Sequence, residues 1–152
     1  MDEIDRRILA LYQHDTRQIA ERLGAAVGLS AAAVQRRLKR MRASGEIEKE
    51  VAQLNPAAVG MPVLCIVELT MVSRPAPHAQ LDRFKREMAA CPEVQQCYHV
   101  TGSSDFVLVV AAASMEAYGA FARQWFETNS GVARFATQVV LDRVKAGCAL
   151  PL

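Results

Sequence analysis

Apolar positions recur at intervals of three and four through the first 45 residues, and at intervals of two through most of the remaining chain. Ile4, Ile8, Leu9 and Leu11-Tyr12 mark a first amphipathic helix, with Asp2 or Asp5 at its positive end, and His14-Asp15-Thr16 breaks it. Ile19, Leu23 and Val27 place a second helix with those residues on its buried side, stopping at Val27-Gly28. Ser30 then offers an oxygen to cap a third helix. Val34, Leu38 and Met41 form its apolar stripe, and Gly45 sits just past its last periodic residue. Two short helices around a glycine-bearing turn predict a helix-turn-helix. Glu46–Leu54 reads as a wing strand leading away, and Asn55-Pro56 through Gly60 and Pro62 has the composition of a hinge.

Beyond the hinge the period shortens to two. Val63–Val72 alternates Cys65, Val67 and Leu69 against Leu64, Ile66, Glu68 and Thr70, as a strand with two unlike faces. Arg74–Pro77 is a turn. Leu81, Phe84, Lys85 and Met88 space a helix that Cys91-Pro92 ends. Val94–Val100 and Phe106–Ala113 are strands around the loop Thr101–Asp105. Ser114 caps a helix carrying Tyr118, Phe121, Ala122 and Trp125, and Val132–Lys145 is a long last strand. The order is βαββαβ. The expected class is therefore α+β, a winged helix-turn-helix (1–50), a linker (51–62) and a ferredoxin-like domain (63–148). A four-stranded sheet with both helices on one face leaves Leu64 and Ile66 wet, so a homodimer is expected to cover them.

Charge sharpens the first domain. Residues 1–45 hold nine Arg or Lys against five Asp or Glu, whereas the remainder is acidic on balance. Between Ser30 and Ser44 lie Arg36, Arg37, Lys39, Arg40 and Arg42 with no acid, on or beside the face opposite the apolar stripe. Such a face suits double-stranded DNA. Behind the Ser30 cap, Ala32, Gln35 and Arg36 are placed for base edges, and Arg37, Lys39 and Arg40 for phosphates. A solvated basic helix is the plain alternative. The charged start, Met-Asp-Glu-Ile-Asp-Arg-Arg, has no apolar run of a signal peptide, and no stretch approaches a membrane span, so a cytoplasmic protein without membrane contact is expected. Cys65, Cys91, Cys97 and Cys148 make no C-x-x-C pair and the histidines are scattered, so neither a metal nor a cofactor is expected.

Ile4-Asp5-Arg6-Arg7-Ile8-Leu9, Asp15-Thr16-Arg17, Val27-Gly28-Leu29-Ser30, Arg37-Leu38-Lys39-Arg40-Met41, Gly45-Glu46-Ile47 and Leu54-Asn55-Pro56 stand in the order and spacing of one family. Pro92-Glu93-Val94, Val100-Thr101-Gly102, Asp105-Phe106, Ala117-Tyr118 and Val140–Lys145 continue the match past the hinge. Over nearly its whole length the chain resembles the Lrp/AsnC (leucine-responsive, feast/famine) transcriptional regulators. The resemblance implies dimers assembling into tetramers or octamers, and a small amino acid-like effector held between dimers. It places the effector by the loop from Val100 to Asp105, facing Gln138, Val139 and Val140. Within the loop, Gly102 permits close backbone approach, the amides around Thr101, Ser103 and Ser104 suit a carboxylate, and Asp105 suits an ammonium group. His99 and Met115 are further candidates for its lining. The same residues also suit an ordinary polar hairpin turn.

Four departures stand out. Ile19 replaces the usual Ser at the start of the second helix, and Arg22 replaces an acid. Lys49-Glu50 replaces a Gly-Tyr pair in the wing, and Ser103-Ser104 are smaller than the residues common in that loop. Two other functions share the pattern: a tetrapyrrole decarboxylase on the same fold, for which Tyr98-His99 is the only adjacent pair of suitable side chains, and a stand-alone amino acid sensor.

Overall fold

The computed structural model describes residues 1–73 and 76–152. Its contacts divide into two units, Met1–Gln53 together with Lys145–Leu152, and Leu54–Val144.

In the first unit, α1 (Glu3–Tyr12), α2 (Ala20–Val27) and α3 (Ala31–Ala43) close over Ile8, Leu9, Tyr12, Leu23, Val27, Val34, Leu38 and Met41. A reciprocal cap starts α1: the Asp5 amide donates to Asp2 Oδ1 at 2.8 Å and the Asp2 amide to Asp5 Oδ2 at 2.9 Å. Gly28 ends α2 with φ 74°, a left-handed conformation that costs other residues energy. Gly24 lets the turn fold back, since a Cβ there would lie 2.3 Å from the Leu29 carbonyl oxygen. Ser30 Oγ accepts from the Ala33 amide at 3.3 Å and caps α3 as its sequence requires. Ile19 departs from the periodic reading. It is the residue preceding α2, contributes no capping side chain, and is 64% exposed.

The wing strand expected over 46–54 does not form. Among the described residues no backbone ladder joins this segment to another strand. Glu50 anchors it instead, accepting from Arg42 Nε and Nη2, each at 2.9 Å, and from the Tyr12 hydroxyl. The carboxyl terminus returns to this unit. The Gln13 side chain donates to the Leu150 carbonyl and accepts from the Leu150 amide, both at 2.8 Å, and Gln53 Nε2 donates to the Ala146 carbonyl at 3.2 Å.

In the second unit, β1 (Val63–Met71), α4 (His78–Ala90), β2 (Val94–His99), β3 (Phe106–Ala112), α5 (Met115–Ala122) and β4 (Val132–Val139) form an antiparallel sheet in the order β2-β3-β1-β4. Arg74 and Pro75 of the expected turn lie outside the described residues. The two-residue period sends Cys65, Val67, Leu69 and Met71 inward with Phe106, Leu108 and Val110. Phe84 and Met88 of α4 and Tyr118, Phe121 and Phe126 cover that face. On the other face Leu64, Ile66, Glu68, Val107 and Val109 are half-buried. The last strand stops well short of Lys145, because β1 begins at Val63 and offers nothing to pair with beyond the bond from the Val140 amide to the Leu64 carbonyl at 2.9 Å. Trp125 lies past the end of α5, in a π-helical turn over Arg123–Glu127.

Candidate nucleic-acid interface and effector loop

The basic helix sorts its cations into two groups. Ala32, Gln35, Arg36, Lys39 and Arg40 are exposed, whereas Arg37 is half-buried. Arg37 Nη1 donates to Asp2 Oδ2 at 2.6 Å and Asp5 Oδ1 at 2.8 Å, and Arg40 Nη2 reaches the other oxygen of Asp5. Asp5 is fully buried. Burial pulls its carboxyl upward, but the Asp2 amide and the guanidiniums of Arg37 and Arg40 outweigh that and hold it well below the usual carboxylate range. Asp2 is also lowered, by the Arg37 hydrogen bond first and then the Asp5 amide. Arg37, read from sequence as a phosphate contact, is thus a tie between α1 and α3, and Arg40 shares that task while remaining half exposed. Arg42 is similarly held by Glu50 and Tyr12, and its hydrogen bond is the main reason the Glu50 pKa is lowered to about 2.

Arg36 and Lys39 meet no carboxylate among the described residues. With Ala32 and Gln35 they border an open groove of about 840 Å³, whose other bank is Thr16–Glu21 at the entrance to α2. Sequence reasoning passed over Arg17, Gln18 and Ile19 on that bank. The available signal was the Asp15-Thr16-Arg17 run before a helix: Asp15 Oδ1 accepts from the Arg17 amide at 3.0 Å and fixes the turn that presents them.

In the second unit the loop from Thr101 to Asp105 joins β2 to β3. The Val100 amide donates to the Asp105 carbonyl at 3.0 Å, and the Asp105 amide to the Leu69 carbonyl at 2.8 Å. Asp105 Oδ2 accepts from the Met71 amide at 2.7 Å, which locks the carboxylate to the end of β1. Thr101, Gly102 and Ser103 are exposed, and Gly102 holds φ 116°. Ser104 is buried, and its hydroxyl donates to Glu68 Oε2 at 3.1 Å. Gln138 Nε2 reaches the other Glu68 oxygen at 3.4 Å. Glu68 therefore joins two expected site segments, and the sequence signal was a lone acid inside an apolar strand.

Other candidates are apart within one chain. His99 lies against the inward-facing Phe106, ring centres 5.0 Å apart. Met115 follows the far end of β3, whose length at about 3.3 Å per residue sets it about 20 Å from the loop. Val139 and Val140 also sit toward that far end, opposite Cys65 and Leu64.

A helix-turn-helix with an outward basic face, followed by a βαββαβ domain with a polar loop at one sheet end, defines a DNA-binding regulator with a ligand-binding domain. The Lrp/AsnC ligand binding domain matches residues 64–150 and the AsnC-type helix-turn-helix domain residues 1–42. The chain belongs to the Lrp/AsnC family of transcriptional regulators. An uncharacterized HTH-type transcriptional regulator of Sinorhizobium fredii is 44% identical over 100% of this chain and 89% of its own length. The crystal structure of an AsnC family regulator from Agrobacterium tumefaciens superposes with a TM-score of 0.90 at 29% identity, covering 99% of this chain and 97% of that one. A transcriptional regulator of Neisseria meningitidis, solved as an L-Met complex, also gives 0.90, at 25% identity over 99% of this chain and 96% of the other.

Proposed function

We propose that α3 reads DNA through Ala32, Gln35 and Arg36, with Lys39 and Arg40 on flanking phosphates, and that a small amino acid-like effector shifts DNA binding or assembly. The observation that carries the first half is the division of cations on α3. Arg37 and Arg42 are held by carboxylates of the fold, while Arg36 and Lys39 border an open groove with no carboxylate partner among the described residues. The protein acts by binding rather than by catalysis, in the cytoplasm where its DNA lies. The domains in this reading are the DNA-binding unit 1–50, a linker 51–62 and the effector-binding domain 63–148, supported by the division of contacts between Gln53 and Leu54, although Lys145–Leu152 pack with the first unit.

For the effector, the support is the loop from Thr101 to Asp105 with Ser104, Glu68 and Gln138 at its root. Met115, Val139 and Val140 lie toward the opposite sheet end, so a site containing both groups needs a second copy of the chain. The half-buried apolar outer face, Leu64, Ile66, Val107 and Val109, supports such pairing. Assembly of such dimers into tetramers or octamers takes a second contact, between dimers, where the effector sits in this reading. An effector acts here only if it binds one arrangement better than another.

The test is fluorescence anisotropy with selected operator DNA at several salt concentrations. Arg36→Ala is expected to cost roughly 1–3 kcal/mol and blur sequence preference. Unchanged operator affinity at matched salt would remove this face from recognition.

A further inference from the structure

On the helix-covered side of the second unit lies a concavity of about 610 Å³ that the DNA face and the Thr101–Asp105 loop leave unused. Its size is that of small-molecule sites, which combine an apolar floor with a few convergent polar groups. Met71 and Phe84, both buried, form the floor, and Trp125 forms a wall. One turn of α4 supplies a cation and an anion to the same space: Arg83 Nε donates to Glu87 Oε1 at 2.8 Å, with the Arg83 side chain 77% exposed and Glu87 27%. The far wall is fixed by Gln80, whose Nε2 donates to the Gly131 carbonyl at 3.1 Å. A Cβ on Gly131 would lie 2.5 Å from that nitrogen.

The backbone is unusual at this place. The Thr128 amide bonds back to the Arg123 carbonyl, five residues away, and the resulting π turn brings Trp125 and Thr128 into the lining. Such turns forgo regular helix packing and gather at functional sites.

We infer that this concavity binds a zwitterionic α-amino acid with an apolar side chain. Glu87 takes the ammonium group, Arg83 takes the carboxylate, and Trp125 and Phe84 hold the side chain. A ligand carrying both charges on one carbon replaces the Arg83–Glu87 pair with two charge-assisted contacts, so neither partner loses a counter-charge. An anion alone would leave Glu87 facing it, and a plain hydrocarbon would bury the ion pair without a partner. Met71 connects this floor to the loop beyond, because its amide holds Asp105.

Trp125 is the chain's single tryptophan, so its emission reports on this wall. The full-length protein is titrated with L-methionine, N-acetyl-L-methionine and L-methioninamide. A saturable change with L-methionine is expected, with each blocked form at least tenfold weaker. Glu87→Gln should weaken L-methionine about tenfold and abolish the penalty for acetylation, and Arg83→Met should do the same for the amide. Circular dichroism confirms that both variants fold, and the two substitutions check one another if either does not. Emission that does not respond saturably, or titrations unaltered in both variants, would overturn the assignment.

Discussion

Asp5→Asn isolates the charge that fastens α1 to α3. The substitution keeps the size of the side chain and one acceptor oxygen, and it removes the counter-charge for Arg37 and Arg40. Hydrogen bonds to charged groups contribute about 1.5–3 kcal/mol each, and unpairing a fully buried ion costs about 3–5 kcal/mol. Asp5 is fully buried, but Arg37 and Arg40 keep 23% and 50% of their side-chain exposure and recover water when released. The loss is therefore set below the buried-pair range, at about 2–3 kcal/mol. With a denaturant slope of about 1 kcal/mol/M for a small unit, the midpoint in urea falls by roughly 2–3 M. Far-ultraviolet circular dichroism reports the helices of both units, whereas Trp125 emission reports the second alone and should keep its midpoint, so the dichroism transition that moves without the emission is that of the first unit. Arg37→Met alone should also destabilise, and in the double variant the two losses should overlap, with a coupling of about 1–2 kcal/mol. A shift under about 0.5 kcal/mol for Asp5→Asn, or strict additivity in the pair, would refute the reasoning.

Acid should act on the same unit. Asp2, Asp5 and Glu50 all have folded pKa values below their unfolded ones, so their stabilisation is present above roughly pH 4.5 and is lost as pH falls through the folded values. For Glu50 that window closes near pH 2, and Glu50→Gln should flatten this part of the urea-midpoint profile. Gly24→Ala should destabilise the first unit by about 1–3 kcal/mol or more, since the new methyl meets backbone oxygen and not a side chain that can move; an unchanged melting temperature would contradict the close approach. Lys39→Ala should weaken all DNA sequences alike and reduce the slope of log affinity against log salt by about one. Asp105→Asn keeps an acceptor for the Met71 amide while removing the charge, and should abolish the effector's shift in operator affinity, measured against the variant's own unliganded value.

Where a residue's partner is close in sequence or set by period, the chain could be read directly. The Ser30 cap, the Val34-Leu38-Met41 stripe and the inward Cys65-Val67-Leu69 series follow from spacing alone. Most of what the sequence did not reveal depends on a partner distant in sequence. For Arg37 nothing local shows that Asp2 and Asp5 fold back onto it and tie α1 to α3. Lys49-Glu50 marked an altered wing, but only Arg42 and Tyr12 explain why the segment is held without a strand. Val140–Lys145 carries a strand's composition, yet the length of β1 decides where pairing stops. Ile19 fits the helical period and nonetheless stands outside the helix it precedes. In the loop, the composition of Thr101–Asp105 suggested polar recognition, while the root formed by Glu68 needed the sheet register to appear.

The pairing of Gln13 with Leu150 has a practical side. A dye or fusion attached behind Leu152 would ride on the DNA-reading half and not on the half whose strands immediately precede it. An energy-transfer pair with the second probe on α4 would then measure the spacing of the two units as operator or metabolite is added. Trimming the last eight residues to tidy the protein for crystals would, for the same reason, strip a strap from the reader itself.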